Sequence, residues 1–149
     1  MILSPLYYSS AVMGTAILVV SIISYTEELA LLYEITYTGI ITSILNHMGN
    51  SDIAKYLDRF VITMAVFVYM YYIFFIKSKT IQFISFALLA IAILCYFFSK
   101  LVIVTSDVYL PHGAISESRR LHMSAHYLAV FLFIAIAYGY NSSKSQTSK

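Results

Sequence analysis

The chain has 149 residues, of which 60% are hydrophobic, 16% aromatic and only 11% charged, with a formal net charge of +2. A soluble domain averages about 45–50% apolar and about 25% charged residues, and so short a chain has too little interior to hide this excess from water. The composition therefore excludes a soluble domain, a disordered chain and a nucleic-acid-binding arm, and it predicts an integral, multi-pass membrane protein with no nucleic-acid partner.

Apolar blocks along the chain predict the transmembrane segments. Each span needs about 20 residues, and the sequence offers five, at residues 6–26, 29–48, 60–76, 80–99 and 121–140. The expected fold is an all-α, polytopic transmembrane helical bundle in which residues 1–140 form one domain.

The remaining segments are polar. Residues 105–120 are expected to form a connection, and the Ser/Lys-rich residues 141–149 to form a disordered tail. The sequence leaves open whether the fourth helix ends before Lys100 or continues through it. Basic residues are spread too evenly between the two sides to set the orientation, and nothing in the sequence names the membrane.

Ionisable residues within apolar blocks are costly and usually functional, and here they form a pattern. Ser43 and His47 are four residues apart near the end of the second span, Asp58 lies eleven residues further on, and His122 and His126 are four apart at the start of the fifth span. Residues four apart share one helix face. Alternation of five spans places all five residues at one depth on one side, so we expect them to converge.

Such a set suits zinc chemistry. Three neutral imidazoles, from His47, His122 and His126, are a common zinc shell that leaves the fourth position to a water, whose pKa the metal lowers to about 7. Asp58 can accept that water's proton or orient it, and Ser43 can hydrogen-bond a developing oxyanion. Taken singly, the histidines can instead contact lipid phosphates, Ser43 can pack between helices, and Asp58 can cap a helix or pair with Arg59.

The motif resembles that of the CREST superfamily of membrane hydrolases, which includes the alkaline ceramidases, the adipoQ-receptor family, the GPI-remodelling lipases and the myomaker-like proteins. The matching residues are Ser43-x-x-x-His47, Leu57-Asp58 and His122-x-x-x-His126, and the step from histidine to aspartate is most similar to that of the alkaline ceramidases. The resemblance implies that the three histidines bind zinc and that the serine and aspartate flank the metal-bound water. Family members have seven helices, and the ceramidases usually carry an acidic residue where Arg59 stands.

Three functional hypotheses follow. The first is a zinc-dependent intramembrane lipid hydrolase that cleaves the amide of a ceramide-like, sphingolipid-type substrate. The second is a catalytically inactive member of the same fold, in which zinc serves as a structural staple. The third is an accessory transmembrane subunit of a larger membrane complex, in which the five residues need not meet.

Overall fold

Helices account for all the regular structure in the described residues. The computed structural model describes residues 5–48, 51–106 and 111–145, with side chains for 5–48, 51–102 and 117–144. A 3₁₀ turn at Glu27–Leu29 separates the first two helices. The α-helices in chain order are α1 (Pro5–Ser24), α2 (Ala30–Met48), α3 (Asp52–Phe74), α4 (Lys79–Ser106) and α5 (Pro111–Ser145).

All five helices are long and apolar enough to cross a membrane, by length and composition. Large apolar side chains point outward from the bundle; Ile22, Ile23 and Phe83 are 77%, 81% and 74% exposed. Contiguous apolar surface of this kind is suited to lipid, because lipid tails solvate it and water does not. The predicted all-α helical bundle with five spans is confirmed.

The third and fourth helices are longer than the sequence indicated. Helix α3 begins at Asp52, eight residues before the predicted span, because the Ser51 side chain accepts a hydrogen bond from the Ala54 backbone N–H and caps the first turn. Asp58 therefore lies within a helix and does not initiate one. Helix α4 continues to Ser106, so Lys100 lies inside it.

The fifth helix also extends past both predicted ends. It begins at Pro111, a residue suited to the first helical position, so most of the expected 105–120 connection is helical. Residues 141–145, predicted as part of a disordered tail, continue α5, where Asn141 donates to the Ser24 carbonyl oxygen at 3.1 Å. Such bonds satisfy polar groups that a free tail would leave to water. Residues 107–110 and 146–149 lie outside the described part of the chain.

Helix packing is uneven around the bundle. Helix α4 packs mainly on α5 and α2 on α3, and α1 lies against both α2 and α5. Leu32, Ile73, Phe133 and Ile136 are among the fully buried core residues. Helices α3 and α4 follow one another in the chain but make few mutual contacts, so a gap remains between them.

One end of the bundle, which we call the closed end, is tied together by polar contacts. The Tyr72 hydroxyl donates to the Glu28 carbonyl oxygen at 2.7 Å, the Lys77 backbone N–H donates to Ser143 Oγ at 2.8 Å, and Lys144 pairs with Glu28. The opposite end, the histidine end, holds the residues that the sequence singled out. These contacts tie together the ends of α2, α3 and α5 at the closed end.

Candidate metal centre

Three histidines meet at the histidine end. His47 is the penultimate residue of α2, and His122 and His126 are one turn apart on α5. One ring nitrogen from each lies within 4.8 Å of the other two. His122 and His126 are buried, and His47 is half-buried. The structure therefore brings together the three side chains that the sequence proposed as metal ligands.

Two of the histidine ring nitrogens have no hydrogen-bond partner, which leaves them available to a metal ion. The ring centroids lie 4.9 Å apart for His122 and His126, and 5.3 and 5.9 Å from His47 to these two rings. Nε2 of His47 and Nε2 of His122 are buried without a hydrogen-bond partner. An unsatisfied buried polar atom costs about 1–3 kcal/mol, and coordination to a cation would remove that cost. Three imidazole nitrogens this close could hold a metal ion, and imidazole is among the ligands that zinc accepts.

The third histidine is oriented by a serine from α1. Nδ1 of His126 lies 2.8 Å from Oγ of Ser9, and Ser9 Oγ donates its hydrogen to the Leu6 carbonyl oxygen at 2.9 Å. Because a hydroxyl has a single hydrogen, Ser9 can donate to Leu6 only when it accepts from Nδ1–H of His126. This tautomer leaves the Nε2 lone pair of His126 free for coordination.

Ser43 is buried one helical turn before His47 and is held from α1. Its Oγ lies 3.1 Å from Oγ of Ser10, which also donates to the Leu6 carbonyl oxygen at 3.0 Å. Ser43 and His126 line the same cavity. The predicted neighbourhood of Ser43 and the histidines is therefore present, with α1 as an added support.

Asp58 contacts α2 instead of joining the metal-binding group. Its carboxylate oxygens accept hydrogen bonds from Thr42 Oγ1 at 3.4 Å and from Asn46 Nδ2 at 2.8 Å, and its side chain is fully buried. The two donors directly precede Ser43 and His47 in the chain. Asp58 thus holds the α2 turn that carries both of these residues.

An elongated cavity of about 550 Å³ extends from the histidine cluster into the bundle. Ser43, Arg59, Tyr96, Lys100 and His126 line its histidine end, and the rest of its wall is mostly apolar. The Tyr96 ring packs edge-on against His122, with ring centroids 5.3 Å apart. This volume falls in the range of pockets that hold small ligands.

The cavity opens sideways between α3 and α4. Phe67 on α3 and Ile93 on α4 line it, and both are also exposed on the outer surface, at 63% and 42%. This position coincides with the gap where the two helices make few contacts. Because α3 and α4 are both candidate membrane spans, an opening between them would face the bilayer.

Several supporting residues were not predicted from the sequence. Ser9 and Ser10 form an adjacent polar pair in an otherwise apolar span, which is a visible but weak signal, because small residues are common at membrane helix interfaces. Thr42 and Asn46 carried no signal beyond their positions beside Ser43 and His47. The remaining histidine, His112, has its side chain outside the described part of the structure.

Comparison with known proteins provides no relative: no protein-family model, no curated protein and no solved structure matches this chain. The resemblance to the CREST superfamily therefore rests on the motif residues alone.

Proposed function

We propose that the chain is a zinc-dependent intramembrane lipid hydrolase that cleaves the amide bond of a ceramide-like lipid. The observation that carries the proposal is the three-histidine cluster, with two buried and unpartnered Nε2 atoms, next to a mostly apolar cavity that His126 lines. Lipid hydrolysis requires a polar reacting centre beside a pocket for an acyl chain, and these two features adjoin here.

Each residue of the site has a defined task in this proposal. His47, His122 and His126 hold the ion, and Zn²⁺, when bound, supplies Lewis-acid activation of water. Ser43 presents a hydroxyl in the cavity wall, where it can hydrogen-bond the substrate carbonyl oxygen as negative charge develops on it. Asp58 is the one fully buried carboxylate among the described residues, and this proposal assigns it the role of proton acceptor.

The overall reaction consumes one water molecule. Its oxygen forms a bond to the acyl carbon, the carbon–nitrogen bond of the amide breaks, and the nitrogen gains a proton. The products are a fatty acid and an amine-bearing sphingoid base. The acyl portion occupies the apolar part of the cavity, and the lateral opening connects that part with the bilayer.

Release of fatty acid from a ceramide tests this proposal. Purified protein, loaded with zinc, is expected to release the acyl chain, and Ser43→Ala is expected to lower turnover by about 10²–10³-fold, the usual effect of removing an oxyanion donor. Thr38→Ala is the matched control, because this exposed α2 hydroxyl bonds only to the Glu34 carbonyl oxygen of its own helix. No release from the zinc-loaded protein, or equal turnover in both variants, would contradict the proposal.

One observation favours a second function, a structural zinc staple without catalysis. Both Asp58 oxygens are already bonded to α2, and the cluster joins α2, α5 and α1 through His47, His126 and Ser9. A staple would retain zinc and lose stability on its removal, but it would release no fatty acid. The lipid-release assay therefore separates the two functions.

A further inference from the structure

Two cationic side chains line the cavity beside the proposed metal centre. Arg59 extends from α3 and Lys100 from α4, and both belong to the cavity wall with Ser43 and His126. Among side chains that the structure describes, neither forms an ion pair. Arg59 is exposed near the start of α3 and Lys100 is half-buried, so an anion that contacts both from within the cavity would be stabilised by two positive charges.

Among the described side chains, the Asp58 carboxylate is the one anionic group that interacts electrostatically with Lys100, and its single negative charge cannot balance two cations. The carboxylate of Asp58 accepts hydrogen bonds from Thr42 and Asn46 and makes no ion pair within the described side chains. The ammonium of Lys100 lies 5.3 Å from the centroid of the Tyr96 ring, a cation–π contact that adds no negative charge. The histidine end of the cavity therefore carries an excess of positive charge.

The rest of the cavity has the opposite character. From Arg59 to Tyr69 its wall follows eleven residues of α3, about 15 Å of helix. Ile17, Leu89 and Leu132 form part of the deeper lining. A pocket with cations at one end and an apolar channel behind them matches an amphiphile that has an anionic headgroup. The lateral opening between α3 and α4 provides access from the bilayer.

We propose that this cavity binds an acyl lipid whose headgroup carries a phosphate, with the phosphate on Arg59 and Lys100 and the acyl chain in the apolar channel. The inference rests on the proposed hydrolase function and narrows its ceramide-like substrate class to the members that carry a phosphate. Arg supplies a planar fork that matches phosphate oxygens, and Lys adds a point charge. A neutral ceramide would leave both cations without a partner.

The experiment compares two lipids that differ only in the phosphate. Binding of ceramide, and of the same ceramide phosphorylated on its primary hydroxyl, is measured by native mass spectrometry in a phosphate-free maltoside detergent with a zinc chelator present. The phosphorylated lipid is expected to bind about 25-fold more tightly, at about fivefold for each cation. Arg59→Gln/Lys100→Gln is expected to abolish that preference while retaining binding of the neutral lipid.

A second double variant controls for surface charge. Arg120→Gln/Lys55→Gln also removes one Arg and one Lys, but neither residue lines the cavity, so the preference is expected to persist. Glycerol phosphate, which lacks an acyl chain, is expected not to compete. Equal affinity for the two lipids, or loss of the preference in the control variant, would overturn the proposal. Because the measurement needs neither zinc nor turnover, its failure is distinguishable from failure of the hydrolase function.

Discussion

Removal of the Ser9 hydroxyl tests whether α1 orients the metal centre. Ser9→Ala deletes the acceptor that lies 2.8 Å from Nδ1 of His126. Without it, the imidazole is free to adopt the other tautomer, with the hydrogen on Nε2, or to rotate away from the cluster. We therefore expect the variant to bind zinc more weakly without losing any ligand.

The size of the effect follows from the kind of contact that is lost. Removing a hydrogen-bond partner of a metal-ligating histidine lowers metal affinity by about 10–100-fold, which corresponds to about 1.4–2.8 kcal/mol. This agrees with the cost of about 1–3 kcal/mol for a buried polar group left unpaired, since Ser9 is only 1% exposed and water cannot easily replace its hydroxyl.

Zinc affinity is measured by competition with a chromophoric chelator, and the neighbouring serine provides the control. Ser10 is as fully buried as Ser9 and donates to the same Leu6 carbonyl oxygen, but its other contact is Ser43 and not a histidine. Ser10→Ala is expected to change zinc affinity by less than about threefold, while Ser9→Thr restores it. Equal zinc affinities for Ser9→Ala and Ser10→Ala would refute the orienting role of Ser9.

Three further substitutions test the packing around the site by thermal unfolding in detergent. Asn46→Ala removes the 2.8 Å hydrogen bond to Asp58 and leaves a buried carboxylate oxygen unpaired, so it is expected to destabilise the protein by about 1–3 kcal/mol. An unchanged unfolding temperature would contradict the role of Asp58 in holding α2. Tyr69→Phe removes the 2.9 Å hydrogen bond to Thr36 between α3 and α2. It is expected to lower the free energy of unfolding by about 0.6 kcal/mol, the average for interhelical hydrogen bonds in membrane proteins. A loss above about 2 kcal/mol would contradict that reasoning. Gly139→Ala would place a methyl group 2.8 Å from Cγ2 of Ile81, and this overpacking is expected to lower the free energy of unfolding by about 1–3 kcal/mol. A stabilised variant would show that α4 and α5 are less closely packed than described.

The sequence was sufficient to predict the features that depend on helical periodicity and on the side of the bundle at which each span begins and ends. Apolar blocks of span length predicted five helices, and the four-residue spacing of His122 and His126 placed both on one face of α5. The alternation of spans then placed His47 at the same end. These inferences are possible because a spanning helix must cross the bilayer from one side to the other. The position of a residue within its span therefore gives its depth in the membrane.

The helix ends and the supporting contacts required the structure. Hydropathy marks where apolar residues stop, but α5 extends to Pro111 and Ser145 because helical hydrogen bonding continues through polar residues. Ser9 could not be recognised as the partner of His126, because the two residues are 117 positions apart and Ser10 gives the same sequence signal. The lateral cavity depends on how far α3 stands from α4, which is a result of packing across the whole bundle.

The zinc content of the purified protein tests the central proposal most directly. Elemental analysis of protein purified without chelators is expected to give one zinc ion per chain, and His126→Ala is expected to lose it. Tyr127→Ala, which alters the adjacent and exposed residue of α5, is expected to retain the ion. Protein that lacks stoichiometric zinc even after incubation with the metal, or a His126→Ala variant that keeps it, would contradict the proposed centre.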